Sequence, residues 1–282
     1  RPLRPGSGRH GSPSHYPDVI RIALAFETEL FLNTNVNDYH LNRIACGAYV
    51  LTVNQTRQKV AQGRSAYGLL NAVPTPWMVE MIGHAGYDFV VLDTEHMSTN
   101  PESLEHMIRA AECASVTPLV RVPGVDRAAI ARALDSGAQG IVVPRIRNAE
   151  DARDVVQMAR YAPAGQRGIT GGRTTGFGTL PLKDYLRQAN QEVLIVLMIE
   201  DQEGIDNREA ILGVPGVDWV LPGAVDLSQS LGCPGDPFHS SVNHAIAELA
   251  ASCRGRPVEF CALPRSPDQL TEWQEWGARA FL

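Results

Sequence analysis

The chain has 282 residues, of which 44% are hydrophobic and 20% are charged, and its formal net charge is −6. This composition is typical of a globular protein, long enough for one large barrel or two smaller domains. The acidic balance without a basic stripe argues against nucleic-acid binding, and no apolar run approaches the ~18 residues of a membrane span.

Five cysteines are scattered along the chain, with no Cys-x-x-Cys pair and no Cys/His spacing of a zinc site. This pattern favours free thiols in a reducing compartment. The N-terminus also lacks the order of charged, apolar and small residues that marks a secretory signal peptide. We therefore expect a cytoplasmic protein that binds neither membranes nor nucleic acid.

Residues 1–52 differ in composition and hydrophobic pattern from the rest of the chain. Residues 1–16 are rich in Pro, Gly, Ser, Arg and His, a composition that predicts disorder. Residues 18–51 contain short apolar runs and Asn-rich turns but no recognisable chemistry. We interpret 1–52 as a partly disordered N-terminal extension and 53–282 as the folded domain.

From residue 53 onward, apolar strand-like segments alternate with amphipathic helical segments. The predicted strands are 66–71, 89–93, 118–121, 140–144, 193–200, 219–222, 258–262 and 278–282. The predicted helices are 55–62, 75–85, 101–114, 127–136, 149–160, 182–188, 206–212, 242–253 and 267–276. Eight strands alternating with helices predict a (β/α)₈ TIM barrel, apparently without its final helix because the last strand reaches Leu282. A doubly wound sheet is disfavoured, since no glycine-rich phosphate turn follows the first strand.

The second predicted strand ends in a cluster of ionisable residues. The segment 89–92 is entirely apolar, which predicts a strand buried on both faces, and Asp93, Glu95 and His96 follow it directly. The plain alternative is a strand followed by a polar turn. In parallel barrels, however, the carboxyl ends of the strands carry the chemistry. His96 can transfer a proton near neutral pH, Asp93 can accept a hydrogen bond from its ring, and Glu95 is expected to support the loop.

Other predicted strands end in complementary groups. Arg121 ends the third strand, Glu200 the fifth, and Asp226 follows the sixth. Glu200 and Asp226 can hold one hard divalent cation through oxygen, unless they are two solvated loop acids. The guanidinium fork of Arg121 matches the oxygens of a keto acid, although a surface salt bridge would also explain it.

A cation, a carboxylate-binding arginine and a histidine base together indicate enolate chemistry on a 2-keto acid. A Schiff-base mechanism would need a lysine at a strand end. The two lysines, Lys59 and Lys183, lie on no predicted strand. This argues against a lysine-dependent aldolase.

Several motifs occur in order with a familiar spacing. They are Asp-Thr-Glu-His at 93–96, Leu-Val-Arg-Val-Pro at 119–123, Gly-Ile-Val-Val-Pro at 140–144, Tyr-Ala-Pro-Ala-Gly-Gln-Arg-Gly at 161–168, Met-Ile-Glu at 198–200 and Asp-Leu-Ser at 226–228. Residues 53–282 thereby resemble the HpcH/HpaI aldolase family. Its members are class II pyruvate aldolases of the 4-hydroxy-2-oxoheptanedioate and 2-dehydro-3-deoxyglucarate type.

The resemblance implies metal-dependent, reversible aldol cleavage of a 2-keto-4-hydroxy acid, such as a diacid, to pyruvate and an aldehyde through a metal-stabilised enolate. It implies Mg²⁺ or Mn²⁺, with Co²⁺ as a further option, on Glu200 and Asp226, and a homo-oligomeric assembly. It also implies that Arg121 binds the keto oxygen and that His96, paired with Asp93, is the base. The backbone at Gly223, Ala224 and Val225 would hold the pyruvate carboxylate.

The sequence departs from the family pattern in three places. Met198 replaces a frequent Gln before the metal-binding Glu, Ala224 replaces a Pro, and the final helix, which packs between subunits in relatives, is absent. The alternatives are an oxaloacetate decarboxylase or macrophomate-synthase-like enzyme using the same enolate, an acyl-CoA lyase, and an inactive scaffold barrel. We expect loops such as 171–178, and a possible neighbouring subunit, to set the specificity for the aldehyde.

Overall fold

The computed structural model describes residues 53–282, so the predicted N-terminal extension lies outside the described residues. Eight parallel strands form a closed barrel in which β8 pairs with both β7 and β1. Their bounds are β1 Ala66–Asn71, β2 Phe89–Asp93, β3 Thr117–Arg121, β4 Gly140–Val143, β5 Leu194–Ile199, β6 Trp219–Pro222, β7 Glu259–Ala262 and β8 Ala280–Phe281. The predicted TIM barrel is confirmed.

The helices surround this barrel. They are α1 Gln55–Ala61, α2 Pro76–His84, α3 Pro101–Cys113, α4 Arg127–Asp135, α5 Ala149–Ala159, α6 Leu182–Glu192, α7 Gln202–Asp206, α8 Arg208–Leu212, α9 Ala224–Ser230, α10 Ser240–Cys253 and α11 Pro267–Glu275. A 3₁₀ turn spans Arg173–Gly178. Sequence analysis missed α7 and α9, both of which are short and directly follow a strand. Among the described residues no helix follows β8, and none is long and apolar enough to cross a membrane.

The strands divide the core into two layers because successive side chains point to opposite faces. One buried cluster fills the barrel interior and includes Phe89, Val91, Leu119 and Val196. The other lies between strands and helices and includes Val90, Leu92 and Val120. β2 is buried along its whole length, including Asp93 at its end, and the apolar segment 89–92 predicted this for its first four residues. The alternation of inward- and outward-facing side chains continues past the end of each strand. It therefore determines which polar residues point into the barrel at the carboxyl end.

Several helix ends are fixed by local capping residues. Asn100 accepts a hydrogen bond from the N–H of Ser103 at the start of α3, with Pro101 in the first helical position. Gly137 and Gly277, which follow α4 and α11, have φ values of 106° and 99°. This left-handed backbone is readily available only to glycine, so both residues can end their helices.

Helix α1 closes the amino end of the barrel. Asn54 caps the helix and also donates its side-chain N–H groups to the carbonyls of Gln139 and Glu192, at 3.1 Å each. Thr56 donates to the carbonyl of Asp88 at 2.9 Å. Asp88 and Gln139 immediately precede β2 and β4, and Glu192 lies two residues before β5. The amino end is therefore sealed, and the carboxyl end is left open for a site.

Candidate active site

The polar residues of the carboxyl end continue the inward-facing rows of the barrel. Asp93 comes two residues after Val91, Arg121 two after Leu119, and Glu200 two after Met198. Because the strand period is two, these side chains stand on top of the buried apolar interior. The parallel register places Asp93 directly beside Arg121. Glu200, which is more than a hundred positions from Asp93 in the chain, reaches the same end of the barrel.

Asp93 and Arg121 form a two-pronged ion pair. Arg121 Nε donates to Asp93 Oδ1 at 3.0 Å, and Arg121 Nη2 donates to Asp93 Oδ2 at 2.7 Å. Burial acts to raise the pKa of Asp93, but the guanidinium and two backbone N–H groups outweigh it and hold that pKa below its ordinary value. Asp93 is therefore an ionised anchor that fixes the guanidinium of Arg121 at the site.

The ring of His96 faces a different carboxylate from the one predicted. Asp93 Oδ1 accepts the backbone N–H of His96 at 3.3 Å, whereas His96 Nε2 lies 3.6 Å from Glu95 Oε2. Both oxygens of Asp93 are already engaged by Arg121. The predicted ring contact between Asp93 and His96 is thus wrong in this structure, and Glu95 takes its place. The imidazole itself is 55% exposed and can reach a substrate.

Glu95 was expected only to support the loop, but it lies among two arginines and a histidine. Its carboxylate is 3.5 Å from Arg121 Nε and 4.0 Å from Arg145 Nε, besides its contact with His96. Its side chain is only 8% exposed. The sequence placed Glu95 next to the end of a strand. It could not predict which side chains from other strands would lie beside it.

Glu200 is a buried carboxylate without a cationic partner. It makes no ion pair within 4.0 Å among the described residues, and one of its oxygens accepts the backbone N–H of Arg145 at 2.9 Å. Burial, followed by the nearby carboxylates of Asp226 and Glu95, raises the pKa of Glu200 to about 7. An uncompensated charge of this kind fits a divalent cation, which would neutralise it.

Helix α9 brings Asp226 to the same place. Gly223 is its N-cap, and Asp226 lies in its first turn, so the carboxylate is set beside Glu200 by a helix that the sequence did not predict. Backbone N–H groups of a first helical turn, here those of Ala224 and Val225, have no acceptor within the helix. The prediction for the substrate carboxylate named these groups together with Gly223, whose N–H already donates to the carbonyl of Ile199 at 3.0 Å.

A cleft of about 370 Å³ opens beside these residues. It is lined by Arg145, Arg147, Glu200, Asp201, Asp226, Gln229 and Ser230. Within 53–282 no three His, Cys, Asp or Glu residues group into a complete metal site. Glu200 and Asp226 supply two carboxylate oxygen donors, which suits Mg²⁺ or Mn²⁺ because these ions retain water and substrate ligands.

Two further predicted features have definite places. Met198 is buried in the barrel interior beneath Glu200, so this side of the site is apolar. The 171–178 segment lies elsewhere: Arg173 pairs with Glu112 and donates to the carbonyl of Ser136, at the carboxyl ends of α3 and α4. Barrel helices run opposite to the strands, so this is the amino end of the barrel. Within one chain the segment does not line the cleft, and its part in aldehyde specificity stays a prediction.

Comparison with known proteins gives a family match over most of the described chain. A sequence profile for "HpcH/HpaI aldolase/citrate lyase" matches residues 67–281. That match spans β1 to β8, so it includes every strand whose end contributes to the site.

Individual relatives are similar over comparable lengths. A pyruvate aldolase of Rhizobium etli is 38% identical over 211 residues, covering 74% of this chain and 82% of that protein. A 5-keto-4-deoxy-D-glucarate aldolase of Klebsiella pneumoniae subsp. pneumoniae is 36% identical over 228 residues, covering 80% and 88%. The crystal structure of the citrate synthase SbnG has a TM-score of 0.76 at 38% identity, covering 81% of this chain and 89% of that one.

Proposed function

The chain belongs to the HpcH/HpaI aldolase/citrate lyase family and is a carbon–carbon lyase, and from this premise we propose that it cleaves a 2-keto-4-hydroxy acid reversibly to pyruvate and an aldehyde. The observation that carries the proposal is the convergence of Arg121, Glu200, Asp226 and His96 on one open end of the barrel. The names of the relatives favour aldol cleavage over oxaloacetate decarboxylation or macrophomate-synthase-like chemistry.

The keto-acid half of the substrate is bound by positive groups at the inner end of the cleft. Arg121 is locked by Asp93 with its guanidinium edge fixed, so it can donate to the keto oxygen without first having to become ordered. The first-turn N–H groups at Ala224 and Val225 support the carboxylate of pyruvate. These contacts hold the reacting carbon atoms in a single orientation.

His96 accepts the proton in the cleavage direction. It removes the proton from the 4-hydroxyl, the C3–C4 bond breaks, the hydroxyl carbon leaves as an aldehyde, and the bonding electrons form the enolate of pyruvate. The proton taken from the 4-hydroxyl then returns to C3 of the enolate, which completes pyruvate and balances atoms and charge. A divalent cation held by Glu200 and Asp226 would supply positive charge for the developing oxyanion. Arg121 donates to the same oxygen.

The proposal is tested by measuring pyruvate release from a 4-hydroxy-2-keto acid, with lactate dehydrogenase and NADH as the detection system. We expect turnover with Mg²⁺ or Mn²⁺, loss of turnover after chelation with EDTA, and recovery when the metal is returned. Full activity after rigorous chelation would contradict the metal assignment.

A variant separates the keto-acid site from the rest of the machinery. Arg121→Ala should lower turnover by roughly 10²- to 10³-fold, the range for losing a preorganised donor to a developing oxyanion. Circular dichroism of the variant checks that the barrel remains folded. A loss below about 3-fold, judged against that same range, would show that the pyruvate site is misplaced.

A further inference from the structure

Another cavity, of about 240 Å³, opens at the amino end of the barrel. Its lining residues come from the end of α10, from the turn into β7 and the start of that strand, and from the turn between α11 and β8. Turns that lead into the strands of a parallel barrel lie opposite its active-site end. The cavity shares no lining residue with the cleft beside Glu200 and Asp226, so the proposed aldol reaction does not account for it.

The cavity is positively charged, although the whole chain has a net charge of −6. Its charged lining residues are Arg254, Arg256, Arg279 and Glu259, three arginines and one glutamate with a formal charge of +2. Arg256 pairs with Glu209, and Arg279 Nη1 lies 3.8 Å from Glu259 Oε2. The side chain of Arg254 is exposed and makes no hydrogen bond or ion pair with another described residue. Arg254 and Arg279 therefore have donors left for an anion.

The helix ends near these arginines do not use up those donors. α10 and α11 both end at the cavity, and the carbonyl end of a helix attracts a positive side chain. The carbonyls of Ala251 and Gln274, however, accept the backbone N–H groups of Arg254 and Gly277. Attraction to a helix dipole needs no hydrogen bond from the guanidinium, so the side-chain N–H groups stay available to a ligand.

The inner wall of the cavity is apolar and partly aromatic. Val258 and Phe260 are buried, and the half-buried Trp276 stacks on Trp273 with ring centroids 6.0 Å apart. An aromatic face is a flat apolar surface on which a planar group can stack. Guanidinium groups beside such a wall suit a ligand with an anionic head and an apolar body, and the volume of the cavity limits that ligand to a small molecule.

We propose that this cavity binds a small phosphate monoester, with the phosphate on Arg254 and Arg279 and the organic part against Trp276. A phosphate monoester carries a charge of about −1.5 to −2 at neutral pH and has three acceptor oxygens, so it can meet two guanidinium groups that come from different turns. A single carboxylate matches only one guanidinium fork. The site is a second ligand site, remote from the proposed lyase chemistry and independent of it.

The experiment is isothermal titration of the full chain with phenyl phosphate. Arg254→Gln and Arg279→Gln should each raise the Kd by roughly 10-fold or more, the range for losing a hydrogen bond to a charged group. Arg187→Gln is the matched control, because Arg187 is an exposed arginine on α6 that does not line the cavity. Inorganic phosphate should bind roughly 3-fold or more weakly than phenyl phosphate, because it has no ring to place against Trp276.

Four results would overturn the assignment. They are no binding of phenyl phosphate, equal affinity for the two phosphates, a Kd that is the same in the Arg254, Arg279 and Arg187 variants, and loss of binding in Arg121→Ala, which would place the ligand in the candidate active site. If the arginines only stabilise the ends of α10 and α11, Arg254→Gln and Arg279→Gln lower the melting temperature and leave the Kd unchanged. Pyruvate release should be the same in both variants, so the proposed function is tested separately.

Discussion

Gly223 shapes the site by having no side chain. A Cβ atom at this position would lie 2.4 Å from Glu200 Oε2 and 2.6 Å from Glu200 Cβ, closer than atoms can approach. The residue is thus required where helix α9 approaches the end of β5. Because Glu200 has no free volume on the side that faces Gly223, its carboxylate is held in place there by packing as well as by the N–H of Arg145.

Gly223→Ala should therefore impair metal binding more than folding. The added methyl group pushes the Glu200 carboxylate away, and we expect a loss of metal affinity of roughly 10- to 100-fold, comparable to disturbing the support of a metal ligand. Isothermal titration with Mn²⁺ measures it. Gly168→Ala is the control, because a Cβ there meets nothing within 4 Å and the residue precedes α6 at the amino end. Equal affinities in the two variants would contradict the packing argument.

The two acidic residues beside His96 have separable roles. Asp93 accepts hydrogen bonds from Arg121 and from backbone N–H groups, whereas Glu95 is the carboxylate beside the imidazole ring. We infer that the first positions the proposed keto-acid donor and that the second supports the proposed base.

This division predicts different kinetic effects for two isosteric changes. Glu95→Gln removes negative charge beside the imidazole, so kcat should fall by roughly 10-fold or more, within the range of general-base effects, with a smaller change in the KM for pyruvate. Asp93→Asn frees Arg121, so the KM for pyruvate should rise. Steady-state kinetics in the condensation direction gives both values. The same pattern in both variants would argue against separate roles.

At the scale of elements, helices α1 and α9 lie at opposite ends of the barrel and have different roles. The first seals the amino end through Asn54 and Thr56, and the second presents Asp226 and free N–H groups at the carboxyl end. Stability and catalysis are thus assigned to opposite ends of the same barrel, as is general for this architecture.

Asn54→Ala should lower stability without changing the site. It removes the cap of α1 and both bonds to the barrel carbonyls, a cost of about 2 kcal/mol or more from capping and buried hydrogen bonds. Urea unfolding measures the loss, and kcat of the folded enzyme should remain unchanged. Gln58→Ala, at an exposed position of the same helix, is the control and should cost less than about 0.5 kcal/mol. A large fall in kcat for Asn54→Ala would contradict the division between the two ends.

At the scale of the whole molecule, the buried charge of Glu200 links stability to pH and metal. Its pKa rises from an ordinary 4.5 to about 7 in the folded, metal-free protein. Between these values the unfolded chain has released its proton while the folded chain keeps it, so stability falls as pH rises, by about 1.4 kcal/mol per unit at most. Above pH 7 the group is charged, and a bound cation compensates it.

We therefore expect Mg²⁺ or Mn²⁺ to raise the melting temperature more at pH 8 than at pH 5.5. With saturating metal the rise at pH 8 is roughly 5–10 °C, from mass action on the folded state. Differential scanning fluorimetry measures it, and Glu200→Gln should remove the difference between the two pH values. A shift of the same size at both values, or one that survives in the variant, would show that the cation binds elsewhere.

The sequence by itself determined the fold and the residues that reach the open end. Apolar strands and amphipathic helices are local patterns, and β1, β2 and β6 have the predicted bounds. β2 and β6 are buried along their whole length, whereas Tyr67 and Leu69 of β1 are exposed. Asp93, Arg121 and Glu200 could be selected because each adjoins the end of a strand. The proton-transfer and metal roles of the site residues, the homo-oligomer and the cytoplasmic location stay predictions.

Only the tertiary structure decided which groups meet. The partner of the His96 ring, the exposed guanidinium of Arg145 and the helix under Asp226 depend on how the chain turns after each strand. The 171–178 segment reached the amino end for the same reason, through contacts with Glu112 and Ser136 that are distant in sequence. Local periodicity specifies strands and helices, but the direction of a loop is set by long-range packing and ion pairs, which no stretch of sequence contains by itself.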